Sequence, residues 1–169
     1  MGIKLIKGNI IDALANTDID IFAHGVNCRG GFGSGLAGEI ARRLPKVRNE
    51  YIAKHKSKHP WTLGATQTVQ IQTNNIINGD PYSQTSYIMN CATQRDYGRD
   101  PQSQPNGMYC HYEAIDVCMH EYHEFCKGHE LIPGLPYIGC GLAGGDWNIV
   151  QRIIEEIFND MTICVYYLK

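Results

Sequence analysis

The chain has 169 residues, of which 43% are hydrophobic and 19% are charged, and its net charge is −2. This length predicts one domain over residues 1–169 with a substantial core, and the composition excludes a disordered or collagen-like chain. No apolar run reaches the roughly 18 residues that cross a bilayer, and the first residues lack the apolar core of a signal peptide. We therefore expect a cytoplasmic protein with no membrane partner. The seven cysteines, without a Cys-x-x-Cys pair, are expected to be reduced thiols.

Short apolar segments alternate with amphipathic ones along the chain. Strands are predicted over residues 3–11, 19–26, 66–71, 87–93, 135–140 and 161–168. Helices are predicted from the apolar stripes within 36–44, 112–125 and 147–158, the first capped by Ser34 and ended by Pro45. Residues 74–85 and 96–107 are rich in turn formers. This alternation favours an α/β fold around a mainly parallel or mixed sheet.

Two glycine-rich loops occur where a predicted strand gives way to a helix. The first glycine loop spans residues 28–35, and the second spans residues 139–146. At such junctions, backbone N–H groups and a helix N-terminus form an anion site, and glycine lets the backbone approach a phosphate closely. Neither loop has the spacing of a dinucleotide-binding or Walker motif. Two loops together favour a ligand with phosphate groups over two unliganded turns.

Three segments carry a resemblance to a known family. Residues Lys7–Ile11, Ala23–Ala37 and Tyr137–Trp147 resemble, in order and spacing, the motifs of macro domains. They are most similar to the subgroup that includes the ADP-ribose 1″-phosphate phosphatases and the ADP-ribosyl-glutamate hydrolases. The resemblance implies a three-layer α/β/α domain with a mixed central sheet and ADP-ribose, or ADP-ribose 1″-phosphate, as the bound ligand.

The resemblance also implies which residues contact that ligand. Asn9 corresponds to an acid that contacts adenine in the family, although it could instead be a turn residue. Asn27 corresponds to an asparagine beside the distal ribose, and its alternative is a buried amide at a strand end. The remaining residues expected to bind substrate are Ile10, Gly31, Phe32, Gly33, Ser34, Gly35, Leu36, Gly139, Cys140, Gly141, Leu142, Ala143 and Gly144.

The same subgroup has a histidine and an aspartate as its proposed catalytic pair, and His24 and Asp146 match these positions. With Asn27 they form the predicted catalytic set. An imidazole can act as acid, base or nucleophile near neutral pH, and a carboxylate can orient it or activate water. The alternatives are a core histidine and, for Asp146, an N-cap of the following helix. Both descriptions of Asp146 can hold together.

Two departures limit the mechanism. The glutamate-hydrolase branch is thought to use a lysine on the central strand, but Ala92–Arg95 contains none, and Ala143 follows Leu142 where that branch has an acid. Arg95 cannot replace the lysine because a guanidinium stays protonated. A lysyl adduct is therefore not expected.

Neither a metal nor another cofactor is expected. The cluster of His120, His123, Cys126 and His129 has a spacing of three, which drifts off one helix face, so it does not predict a zinc site.

Seven of the fifteen basic residues lie between Arg42 and Lys58. They weakly suggest nucleic acid as a partner, but a solvated helix face is the stronger explanation.

Three functions remain open at this level. The first is hydrolysis of ADP-ribose 1″-phosphate to ADP-ribose and phosphate. The second is a non-catalytic reader of ADP-ribose, and the third is removal of ADP-ribose from modified macromolecules. His24 and Asp146 favour the first over the second, since a reader has no need of that pair. We expect a monomer.

Overall fold

The computed structural model describes residues 1–77 and 80–169, and side chains outside 73–83. Its centre is a six-stranded sheet in the order β1-β6-β5-β2-β4-β3, in which only β3 runs antiparallel to its neighbour. The strands are β1 Gly2–Lys7, β2 Ile21–Asn27, β3 Thr66–Ile77, β4 Asp80–Gln94, β5 Pro133–Leu135 and β6 Thr162–Tyr167. The helices are α1 Ile10–Ala15, α2 Gly35–Arg43, α3 Pro45–His55, α4 Tyr112–Gly128 and α5 Trp147–Ile157.

Helices cover both faces of this sheet, which confirms the predicted three-layer fold with a mixed sheet. Alternate residues of β2 supply the two cores, because successive side chains of a strand point to opposite faces. Phe22 and Val26 pack with α1, α2 and α3, whereas Ile21 and Ala23 pack with α4 and α5. Within the described residues, no helix is both long and apolar enough to cross a membrane. All seven cysteines are free.

The three predicted helices are confirmed, but two other helices were missed. The predicted strand 3–11 is wrong beyond Lys7, because Asn9 caps α1 by accepting hydrogen bonds from the N–H groups of Ile11 and Asp12. Pro45 ends α2 as expected, yet it also occupies the first turn of α3, where its missing N–H costs nothing.

Three strands also differ in extent from the sequence prediction. Residues 74–85 were predicted as turns, but β3 extends to Ile77 and β4 starts at Asp80, paired in continuous antiparallel register. The connection at 78–79 lies outside the described residues. The strand predicted over 135–140 ends at Leu135, because Pro136 has no N–H to continue the ladder and its carbonyl accepts the N–H of Ile138 in a tight turn.

A chain of hydrogen-bonded amides leads across the sheet to His24. The backbone carbonyl of Glu50 can only accept, so the Nε2 group of Gln67 donates to it at 2.9 Å. The Oε1 atom of Gln67 then accepts from Nδ2 of Asn90 at 3.0 Å, which leaves Oδ1 of Asn90 facing Nε2 of His24 at 2.5 Å. This order requires a proton on Nε2 of His24. Its Nδ1 is then the unprotonated nitrogen of the neutral ring.

We predict that this buried histidine makes folding sensitive to acid. Burial lowers the pKa of His24 to about 4, against about 6.5 in an unfolded chain, so protonation favours unfolding. Its contribution is therefore complete above pH 6.5 and is lost as the pH falls to 4, by roughly 3 kcal/mol. Urea unfolding at pH 7 and pH 4.5 should show a smaller loss for His24→Gln, whose amide can still donate to Asn90. Equal losses in the parent and the variant would contradict the assignment.

Candidate functional site

A cavity in the described structure opens at the carboxyl ends of β2 and β4 and has a volume of about 830 Å³. This size suits a nucleotide-like ligand, since ligand pockets span roughly 300–1,000 Å³. The first glycine loop and the start of α2 line one wall, and the second glycine loop lines another. His24 and Asn27 contribute from β2, and Thr93 and Gln94 contribute from β4. The structure thus brings both glycine loops to one cavity.

The first glycine loop is shaped by Asn27 and Tyr51. Oδ1 of Asn27 accepts the N–H groups of Arg29 and Gly31, while its Nδ2 donates to the carbonyl of Gly31. The hydroxyl of Tyr51 accepts the N–H of Gly30 at 3.1 Å and lies 2.7 Å from the carbonyl oxygen of Asn27. Asn27 lines the cavity as predicted, but most of its hydrogen-bonding capacity folds the loop.

The start of α2 presents free donors to the cavity. Ser34 occupies the N-cap position, yet its side chain makes no capping hydrogen bond, and the first turn contains no acid. The first backbone N–H of this helix with a partner in the described chain belongs to Gly38, which bonds to the carbonyl of Ser34. The N–H groups of Gly35, Leu36 and Ala37 therefore remain available at the positive end of the helix dipole, where an anion is stabilised.

The second glycine loop faces these donors as a tight turn. The N–H of Gly144 bonds to the carbonyl of Gly141, and the N–H of Gly145 bonds to the carbonyl of Gly139. Gly139 and Gly144 have positive φ angles of 75° and 77°, which favour glycine. Residues 141–143 line the cavity between these closures.

His24 lies in the floor of the cavity and is 2% exposed. The rings of Phe22 and Phe32 meet it edge-on, with centroids 6.4 Å and 5.5 Å away. Because burial holds its pKa near 4, the ring is neutral at pH 7. With Nε2 bonded to Asn90, Nδ1 carries a lone pair that can accept a proton. At neutral pH this histidine is therefore present as a base, and it can donate a proton only after it has accepted one.

Asp146 lies at the start of α5 and is not part of the cavity lining. It is the N-cap of α5, where a carboxylate oxygen accepts the N–H of Asn148 at 2.9 Å and its own N–H donates to the hydroxyl of Tyr112. It is exposed and does not line the cavity. His24 packs on the α1–α3 face of the sheet, whereas α5 covers the other face. Asp146 therefore has the alternative role predicted from the sequence, that of a helix N-cap.

Four predicted binding residues also lie outside the cavity lining. Asn9 caps α1 and donates from Nδ2 to Glu39 at 2.9 Å, and Ile10 is buried in the core beneath it. The thiol of Cys140 turns back to the carbonyl of Ile138, and burial raises its pKa to about 12, so it is no nucleophile at neutral pH. Gly144 closes the turn through its hydrogen bond to Gly141 and does not line the cavity.

Other lining residues were not predicted from the sequence. They end or follow β4, or precede the second glycine loop: Thr93, Gln94, Tyr97, Gly98, Arg99, Pro136, Tyr137 and Ile138. The rule that ligands bind beyond the carboxyl ends of parallel strands could have found the group after β4.

Several side chains of the basic segment, residues 42–58, make contacts within the protein. Arg43 pairs with Asp12 and Glu39, Lys46 reaches the carbonyl of Gln70, and Lys54 lies over the ring of Trp61. Nucleic acid as a partner stays a prediction.

The histidines between positions 120 and 129, where no zinc site is predicted, contact different partners. His123 bonds to Asp160 at 2.6 Å, and His129 bonds to the carbonyl of Phe125. Among the described residues, no group of three or more potential ligands could hold a metal ion.

The chain is similar along nearly its whole length to several known proteins, although no family model matches it. An uncharacterised 17.5 kDa protein of phage T4 is 27% identical, over 98% of this chain and 96% of its own. The ADP-ribose 1″-phosphate phosphatase of Debaryomyces hansenii is 25% identical, over 97% and 98%. That of Saccharomyces cerevisiae is 23% identical, over 98% of each chain.

Solved structures agree with these relatives. A protein of unknown function from Bacteroides thetaiotaomicron superposes with a TM-score of 0.77 at 28% identity, over 98% of each chain. A macrodomain protein of Streptomyces coelicolor gives 0.71 at 25% identity, over 99% of each. Thermosipho africanus DarTG, solved with ADP-ribose, gives 0.75 at 17% identity over 98% of this chain and 41% of that one. In topology and in its two glycine loops, the chain has the macro domain fold, and it is similar along its length to macro domain proteins.

Proposed function

We propose that this protein binds ADP-ribose and hydrolyses ADP-ribose 1″-phosphate to ADP-ribose and phosphate. The observation that carries the proposal is the cavity between two glycine loops, whose walls offer backbone N–H groups. Among the described residues that line it, none is an aspartate or glutamate, so an anionic ligand meets no opposing carboxylate. The names of the relatives from Debaryomyces and Saccharomyces, and the ADP-ribose bound in the Thermosipho structure, support this ligand and reaction.

The diphosphate of the ligand belongs between the two glycine loops. On one side the N–H groups of Gly35, Leu36 and Ala37 point from the start of α2, and on the other side lies the backbone of residues 141–143. Such donors suit phosphate oxygens because they are fixed, and the helix dipole adds favourable charge. The distal ribose then lies at the end of the cavity where β2 delivers Asn27.

His24 is the group that we assign to the chemistry. A water molecule positioned at Nδ1 loses a proton to the imidazole as its oxygen forms a bond to the terminal phosphorus. The bond between phosphorus and the ribose oxygen breaks, and that oxygen takes the proton back from the imidazolium. Burial disfavours the imidazolium, which makes it costly to form and favours the return of its proton to the leaving oxygen. The products are inorganic phosphate and ADP-ribose.

The geometry favours a positioning role for Asp146. Its carboxylate caps α5, the helix that the second glycine loop leads into, so it holds the end of that loop in place. One observation therefore favours the alternative of a non-catalytic reader: the predicted partner of His24 lies outside the cavity lining. A chain that binds ADP-ribose tightly and releases no phosphate would be a reader.

We predict that valine at Gly33 or Gly141 blocks ADP-ribose without harming the fold. A Cβ at either position meets nothing within 4 Å and projects into the space assigned to the diphosphate. Calorimetry should show affinity for ADP-ribose weakened by roughly 100-fold or more, about 2.8 kcal/mol. The control is Gly128→Val, equally open but distant at the end of α4. Unchanged affinity in both loop variants would remove the ligand from this cavity.

A second set of variants separates catalysis from capping. His24→Gln should bind ADP-ribose within about tenfold of the parent, yet release phosphate from ADP-ribose 1″-phosphate more slowly by 10²–10⁴, the usual contribution of a positioned base. Asp146→Asn should keep both turnover and melting temperature, because asparagine caps a helix as well as aspartate does, whereas Asp146→Ala should lose about 1 kcal/mol of stability.

Two outcomes would change these assignments. If Asp146→Asn lowers turnover as much as His24→Gln while its melting temperature is unchanged, Asp146 is catalytic and the capping assignment is incomplete. If His24→Gln turns over like the parent, His24 is not the base.

A further inference from the structure

Arg99 is a cavity residue that the reaction described above does not use. It belongs to the segment after β4, which is tied down at several points: Nε2 of Gln94 donates to the carbonyl of Asp96 at 2.8 Å, and the hydroxyl of Tyr109 donates to the carbonyl of Asp100 at 3.0 Å. Asp96 also pairs with Arg29 at 2.6 Å. Because contacts flank Arg99 on both sides, its backbone position is fixed before any ligand arrives.

This segment closes the Asn27 end of the cavity. Gln94 pairs with Asn27 where β4 and β2 end. The ring of Tyr97 lies so close to Gly31 that a Cβ there would stand 2.6 Å from it. Two residues after Arg99, Pro101 lies against Gly144 of the second glycine loop. Arg99 thus lines the cavity between the two loops, and we place it at the end that holds the distal ribose.

The charge of Arg99 is unopposed. Among the described residues, it is the only lysine, arginine, aspartate or glutamate that lines this cavity. Arg29 and Arg43 are held in ion pairs with carboxylates, whereas no ion pair or hydrogen bond engages the guanidinium of Arg99 in the described part of the chain. A guanidinium in a wall without carboxylates favours an anion, and its planar fork suits the oxygens of a phosphate.

A second observation at the same end also indicates a ligand. The register of β2 with β4 shifts between Val26 and Asn27, which leaves Thr93 as an extra residue in β4. Such bulges redirect side chains, and the hydroxyl of Thr93, in a fully buried residue of the cavity wall, has no hydrogen-bond partner. An unpaired buried hydroxyl is costly, and a polar ligand group or its water can satisfy it.

We propose that Arg99 binds the terminal phosphate of the substrate and so determines the preference for ADP-ribose 1″-phosphate over ADP-ribose. This inference rests on the proposed function for the identity of the substrate. The diphosphate and the adenosine are common to both molecules, so only a group at the distal ribose can distinguish them. Arg99 is the charged side chain that the structure offers there.

The test compares two ligands in Arg99→Gln. Binding is measured by calorimetry in a His24→Gln background, so that the phosphorylated ligand is not consumed. Removing the charge should weaken the binding of ADP-ribose 1″-phosphate by roughly tenfold or more, as expected for the loss of a charge-assisted hydrogen bond. The affinity for ADP-ribose should change by less than about twofold. Arg99→Lys should recover part of the loss because it keeps the charge, and the control Arg95→Gln, an exposed arginine at the end of β4 outside the cavity lining, should change neither ligand.

Two results would overturn the inference. If Arg99→Gln weakens the binding of both ligands equally, Arg99 contacts the diphosphate. If the affinities for both ligands are unchanged, Arg99 contacts neither ligand. Failure of the proposed function gives a different result. If the parent binds both ligands but releases no phosphate, the ratio of affinities in Arg99→Gln still decides the role of Arg99. If the parent binds neither ligand, the inference falls with the proposed function.

Discussion

The pairing of β2 with β4 is the constraint on which the rest of the site depends. It sets His24 opposite Asn90 and Asn27 opposite Gln94, so both the amide chain behind the histidine and the two segments at the cavity end follow from one register. A slip of one residue would turn His24 to the opposite face and would break its contact with Asn90. The single bulge at Thr93 is tolerated because it falls after these pairs, where the strands end.

Electrostatics in this cavity depend on the backbone more than on side chains. The walls are glycine turns and a helix start without acids, and the buried histidine is neutral. An anion therefore exchanges water for fixed N–H groups, with one arginine at the end. This explains how a chain with a net charge of −2 can have a site suited to a phosphorylated nucleotide. The overall charge says little about a local arrangement of dipoles.

The sequence was most informative where a pattern has a local physical cause. The apolar stripes of α2, α4 and α5 and the two glycine loops were predicted because periodicity and glycine act within a few residues. The helix α1 was missed because its signal is one capping residue, Asn9, in an apolar run. The extension of β3 and β4 was missed because turn-forming residues there are overridden by pairing between strands. Asp146 was predicted both as a cap and as a catalytic residue, and only the three-dimensional structure shows that it lies outside the cavity lining. No motif in the sequence points to Arg99. It stands out only in the structure, where no carboxylate among the described residues lines the cavity with it.

The hydroxyl of Tyr51 beneath the first glycine loop has a consequence for how a ligand would associate. A loop with four glycines among eight residues has many conformations in a free chain, and ordering it at the moment of binding would cost conformational entropy. Here Tyr51 and Asn27 hold it through a set of hydrogen bonds that are complete without a ligand, and α3 anchors that tyrosine in the core. The entropy of the loop is thus lost during folding. A preformed wall of this kind lets association proceed without a slow closing step and keeps the affinity free of an ordering penalty.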